Sequence, residues 1–219
     1  MLNDRLSWAA TAATVALMFF AIVWVQPLVS AMQFTYVIAG AVAGAVASLG
    51  IYRLVASALL WLFGKSIGLR ALILGKGFLE GTWVGHYMHS DQHRYTIEYI
   101  DQSSGHTVIH GREFDQTGET RASWSSDTVS IDIVRMQLVY AYTCKVFEHK
   151  HVQEGLGVFA MVRESNDKAA RKLDGYAVDL IDGERDLNTE FKIDDKPVSD
   201  EEALTKAREK FNIPEQRVG

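Results

Sequence analysis

The chain has 219 residues, room for a membrane anchor plus one domain of about 120 to 140 residues but not for two soluble domains. Up to Gly64 only Asp4, Arg5 and Arg53 are charged, so the formal charge of -5 belongs to the remainder, and no broad basic surface offers a grip on DNA or RNA polymers. The single cysteine, Cys144, excludes an intrachain disulfide and suits a reducing compartment, with strand packing as its ordinary role.

Residues 7–25 are uncharged and would span about 28 Å as a helix, close to the hydrocarbon thickness of a bilayer. Gln26 and Pro27 interrupt the run, and a second apolar stretch, 34–63, contains Arg53 as its one charge. The expected arrangement over 1–64 is a transmembrane helical hairpin. A signal peptide cleaved near Val29, Ser30 and Ala31 is the competing reading of the first run. Lys65, Arg70 and Lys76 follow the second run while the turn carries no Lys or Arg, so the positive-inside rule places both termini in the cytoplasm. Gly40 and Gly44 form a GxxxG spacing that serves close packing within the hairpin or contact between protomers. Arg53 either snorkels toward Lys65 or faces a partner or water.

Residues 65–78 read as a linker. From Leu79 the helical period gives way to short alternating runs at about 81–89, 93–101, 106–114, 119–126, 128–134, 136–148, 154–164 and 173–181, with 187–193 as a further candidate. Connections of a few residues favour antiparallel neighbours, and a meander of this many strands closes to remove its edges. The fold class expected is therefore membrane-anchored all-β, with an antiparallel, roughly eight-stranded barrel over 79–197. A barrel of that size is filled by side chains or holds one small ligand. Over 198–219, Ser199 and Glu202 have capping-box spacing, and Ala203, Leu204, Ala207 and Phe211 share one side of a short helix that Pro214 ends.

No phosphate loop, nucleophile elbow or cysteine cluster occurs, so catalysis is not expected, nor is a cofactor. His86 and His89 are an odd number apart and point to opposite faces of a strand, and His149 and His151 fall in a turn, so no metal site is expected. Aromatic and basic residues on the strands, among them Tyr87, Arg94, Tyr95, Tyr99, Arg112, Trp124, Tyr140, Tyr142, Arg163 and Tyr176, supply flat faces for bases and donors for phosphates. The same residues are ordinary strand formers.

Two apolar helices followed by a barrel that opens Leu79-Glu80-Gly81-Thr82-Trp83-Val84-Gly85-His86-Tyr87 resemble the two-transmembrane β-barrel effectors of bacterial CBASS antiphage defence. The Trp124-Ser125-Ser126 and Gly175-Tyr176 strands add to the likeness, although lipocalin-like barrels also begin with GxW. The resemblance implies a cytoplasmic barrel anchored in the bacterial inner membrane, which binds a cyclic dinucleotide made by a partner nucleotidyltransferase. Binding then promotes self-association, and the helices disrupt the membrane and kill the infected cell. Tyr87, Tyr95, Arg112, Trp124, Tyr140, Tyr142, Arg163 and Tyr176 are the ligand-binding candidates, with Tyr87 sharing a face with Trp83. Gly40, Gly44 and Arg53 are the candidates for helix association. The alternative is a membrane-tethered, lipocalin-like binding or scaffold module for a lipid or other small apolar ligand.

Overall fold

The computed structural model describes residues 8, 11–20, 23–24, 34–89, 92–103, 106–147, 151–180, 183 and 185–212, with side chains for all but 34–48, 89 and 151. Gln26, Pro27, the candidate cleavage segment 29–31, His149 and Pro214 lie outside the described residues. The chain divides into two units, Met1–Ile73 and Leu74–Gly219.

In the first unit, Thr11–Phe20 is an apolar helix, α1. Helix α2, Phe34–Lys65, has 32 residues and carries Gly40, Gly44 and Arg53, the last exposed. Ser66 interrupts it, accepting from Leu69 N at 3.3 Å at the start of α3, Ile67–Leu74. Arg70 is buried and donates Nη1 to the carbonyls of Phe63 at 2.7 Å and Gly64 at 3.0 Å, which satisfies acceptors that the end of α2 leaves open. Most of the segment expected to be a linker is therefore helical, because apolar Ile67–Leu74 continues the helical period once Ser66 has broken the axis. Among the described residues, no single helix is long and apolar enough to cross a membrane. The bent pair Leu49–Lys65 and Ile67–Gly77, at 107°, passes on length and composition.

The second unit is a closed barrel of eight strands in sequence order: β1 Gly81–His89, β2 Gln92–Asp101, β3 Val108–Phe114, β4 Thr120–Asp132, β5 Gln137–Val146, β6 His151–Val162, β7 Lys172–Asp179 and β8 Arg185–Asp194. Every neighbouring pair is antiparallel, and β1 closes on β8 with Val84 opposite Phe191 and His86 opposite Thr189. Gly81 starts β1 at φ 131°, where a Cβ would strike the Asp194 carbonyl of β8.

The runs expected as two strands, 119–126 and 128–134, are one. A register shift at Ser126/Thr128 lets β4 bend while both halves keep pairing with β5. The further candidate, 187–193, is the eighth strand and the closing one.

One end of the lumen is filled. Leu79, Trp83, Ile100, Ile109, Leu138, Phe159, Met161 and Leu173 are buried there as one cluster. Trp83 Nε1 donates to the Leu79 carbonyl at 2.8 Å. The side chain of Gln102 accepts from Leu79 N and Glu80 N at 2.8 and 3.0 Å and donates to Gly77 O at 3.1 Å, fixing the chain where it enters the barrel.

Helix α4, Asp200–Phe211, starts with Ser199 Oγ accepting from Glu202 N at 3.2 Å and ends at Asn212, whose φ is 55°. Ala203, Leu204 and Ala207 pack outside the barrel on Val84, Tyr95, Ile97 and Phe114.

Candidate functional site

Strand alternation decides what enters the lumen. On β2 the inward residues are Arg94, Thr96, Glu98 and Ile100, because Tyr95 and Ile97 face α4. Tyr87 on β1, Trp124 on β4, Tyr140, Tyr142 and Cys144 on β5, and Asn188 and Glu190 on β8 point the same way. Together they line a cavity of about 340 Å³ above the filled end, within the size range of small-ligand sites.

Three glycines keep this cavity open. The rings of Trp124, Tyr142 and Tyr140 lie flat against the barrel wall over Gly111, Gly155 and Gly157, and a Cβ at Gly157 would stand 2.6 Å from the Tyr140 ring. The aromatic wall is continuous: Tyr140 and Phe159 are parallel within 3° with centroids 6.1 Å apart. Tyr142 stands 5.8 Å from Tyr140 and 6.4 Å from Trp124. Such a wall presents aromatic faces to a planar ligand.

Two carboxyls form the polar floor. Glu98 and Glu190 are each 1% exposed. They reach toward each other from β2 and β8 past Gly85 of the intervening β1, where a Cβ would lie 2.9 Å from Glu190 Cγ. Glu98 Oε1 accepts from Tyr140 Oη at 2.6 Å and Trp124 Nε1 at 3.1 Å, and Glu190 Oε1 accepts from Asn188 Nδ2 at 2.8 Å. Burial raises the pKa of both, and for Glu190 the neighbouring Glu98 charge raises it further. Burial and the adjacent like charge disfavour two carboxylates side by side at the floor. Glu98 Oε2, Glu190 Oε2 and Asn188 Oδ1 accept no hydrogen bond within the protein.

Toward the mouth, Tyr87 Oη donates to Glu113 Oε2 at 2.8 Å, and burial raises the phenol pKa. Arg94 donates Nη2 to Gln92 Oε1 at 3.2 Å; its Nε stands 3.6 Å from Glu113 Oε1, and Nε and Nη1 make no hydrogen bond within the protein. Arg121 is held by Asp115 at 2.6 Å; despite burial, bonds from Thr117 and Arg121 keep that carboxyl at about 2. The Cys144 thiol is pushed up to about 11, mainly by burial, so it offers no thiolate nucleophile at neutral pH. The lining carries six carboxyl side chains, Glu98, Glu113, Glu154, Asp179, Asp186 and Glu190, against Arg94 and Arg121.

Of the eight ligand candidates, Tyr87, Trp124, Tyr140 and Tyr142 line the cavity. The other four do not, which corrects the expectation of one shared mouth. Tyr95 is 1% exposed beneath α4. Arg112 points outward and pairs with Asp200 at the start of α4, whose other oxygen accepts from Tyr99 at 2.6 Å. Arg163 follows β6 and donates to the Asn166 carbonyl of its own loop. Tyr176 faces outward with the Arg185 guanidinium 4.8 Å above its ring.

Sequence reasoning left Arg94 out of the ligand set and did not single out Glu98, Asn188 or Glu190. The signal was there, since Arg94 and Glu98 share parity with Ile100. The opposite face of β2 reads Tyr95-Ile97-Tyr99 and looks like the inward one until α4 is known to cover it.

His86 and His93 meet outside the barrel, Nε2 to Nδ1 at 2.8 Å, near the Phe211 ring. Among the described residues, no group of three or more His, Cys, Asp or Glu could hold a metal ion. Comparison of the chain with protein-family models, with curated proteins and with solved structures returns no match.

Proposed function

We propose that the chain is a non-catalytic, membrane-anchored effector of antiphage defence whose barrel lumen receives a cyclic dinucleotide from a partner nucleotidyltransferase. Binding promotes self-association through residues 1–64, in which Gly40, Gly44 and Arg53 take part, and the helices then disrupt the bacterial inner membrane. The role in defence, the location and the assembly come from the resemblance in architecture. The reading of the lumen rests on one observation: an aromatic-walled cavity combines buried acceptors at its floor with the unbonded N–H groups of Arg94 above them. A nucleotide brings a base to stack, donors and acceptors on the base edge, and anionic oxygens for a guanidinium.

An apolar ligand answers none of these groups and would leave buried polar atoms unpaired, which costs about 1–3 kcal/mol each. The lining therefore supports the nucleotide reading over the lipid-carrier alternative.

The test is the thermal midpoint of the full chain in detergent micelles against a panel of cyclic di- and trinucleotides and a fatty acid. A ligand present at 100 times its Kd stabilises the folded state by about 2.7 kcal/mol. A shift with a cyclic nucleotide supports the proposal; a shift with the fatty acid alone, or with nothing, overturns it.

A further inference from the structure

We infer that Glu98, Glu190 and Asn188 form a subsite that reads an edge of two adjacent N–H donors, the edge that guanine presents and adenine lacks. This rests on the nucleotide reading of the lumen and specifies which base goes to its floor.

Polar complementarity carries the argument. Three buried oxygens at the floor accept no hydrogen bond within the protein: Glu98 Oε2, Glu190 Oε2 and Asn188 Oδ1. The Asn188 amide nitrogen is engaged with Glu190 Oε1 at 2.8 Å, and the Tyr140 and Trp124 donors are engaged with Glu98 Oε1. The Thr96 hydroxyl beside them accepts from Asn188 Nδ2 at 3.4 Å, so a single O–H stands there against three unpartnered oxygens, and an edge of two donors meets more partners than a donor beside an acceptor.

The unbonded donors in the same cavity belong to Arg94, toward the mouth. A ligand that satisfies both ends has adjacent N–H groups on a planar ring and an anionic group behind it. Guanine, with a ring N–H beside an exocyclic amine, joined to a phosphate, has both. Guanidinium compounds share the donor edge but bring nothing for Arg94.

Tyr140 from β5, Trp124 from β4 and Asn188 from β8 face the pair, and the Tyr140 phenol is held protonated by burial well above 10. The unpartnered oxygens of the pair remain to accept the guanine N–H groups.

The experiment is calorimetric titration of the full chain in detergent micelles with cyclic diguanylate, cyclic diadenylate, the inosine analogue that lacks the 2-amine, and guanidinium chloride. Leaving buried acceptors unpaired predicts that the adenine ligand binds at least about 10-fold more weakly than the guanine one, with inosine between them. The Glu98→Gln/Glu190→Gln variant, checked for folding by its melting curve, should lose the preference. Equal or tighter binding of adenine, an unchanged preference in the folded variant, or binding of guanidinium as tight as that of cyclic diguanylate overturns this inference and leaves the nucleotide reading in place. Absence of binding by every nucleotide overturns both.

Discussion

Tyr140 on β5 donates its phenol O–H to Glu98 on β2 across the lumen, at 2.6 Å, while its ring lies over Gly157 and stacks on Phe159. One side chain therefore ties the acidic floor to the aromatic wall. Tyr140→Phe keeps the packing and removes the bond, leaving Glu98 Oε1 with Trp124 Nε1 alone. The expected result is a loss of about 1–3 kcal/mol in chemical denaturation, together with a further rise in the Glu98 pKa.

The buried acids make stability depend on pH in a stated direction. Glu98 and Glu190 have folded pKa values above their unfolded ones, so the stability they confer is complete below the unfolded value of about 4.3 and is lost as pH rises through the folded values. Asp115 acts the opposite way at lower pH, its stabilisation fading as pH falls toward about 2. His86, lowered by burial and by His93, loses stability as pH falls through its own range. The readout is therefore the difference between wild type and Glu190→Gln. The variant should gain midpoint temperature relative to wild type between pH 5.5 and 8.5, and a constant difference across that range would show that no ionisation of the pair occurs there.

Arginines separate the lumen from the outer surface. Arg94→Ala removes the guanidinium whose Nε and Nη1 are without a hydrogen bond in the cavity and should weaken nucleotide binding by about 10-fold or more, since hydrogen bonds to charged groups contribute about 1.5–3 kcal/mol. Arg112 is half-exposed and paired with Asp200 of α4, so Arg112→Ala should cost no more than about 1 kcal/mol of stability and leave affinity unchanged. A competition binding assay on both variants checks the pair. Equal losses would mean that the ligand sits against the outer face of β3.

The glycines beneath the rings are the sharpest steric test. Gly157→Val pushes the Tyr140 ring into the lumen, costing about 1–3 kcal/mol by overpacking, and should abolish binding while the barrel still folds. Circular dichroism and a binding titration on the same sample separate the two effects.

Much of the fold was legible because period-2 alternation and turn residues mark each strand and the count of strands closes a meander. The break expected between 126 and 128 was misplaced because a bulge and a turn leave the same local trace: Ser126, Asp127 and Thr128 interrupt alternation without ending the ladder. The helix at the C-terminus was fully signalled by Ser199, Glu202 and its Ala and Leu stripe. The site was legible only by half. Tyr87, Trp124, Tyr140 and Tyr142 follow from aromatic alternation. Arg94, Glu98 and Glu190 sit on faces whose inward direction depends on where α4 packs, and Tyr95 was drawn into the site for the same reason. The short spacing of small residues at Gly155 and Gly157 becomes informative only once β6 is registered against Tyr140 and Tyr142 of β5.

The central claim, that a nucleotide enters the lumen of the barrel, is tested most directly by photoaffinity labelling of the full chain with an azido derivative of the bound cyclic nucleotide, followed by peptide mapping. The account predicts saturable labelling confined to the inward residues of β4, β5 and β6, among them Trp124, Tyr140 and Tyr142, and competed by unlabelled ligand. Saturable labelling at Arg112, Tyr176 or α4 would contradict it.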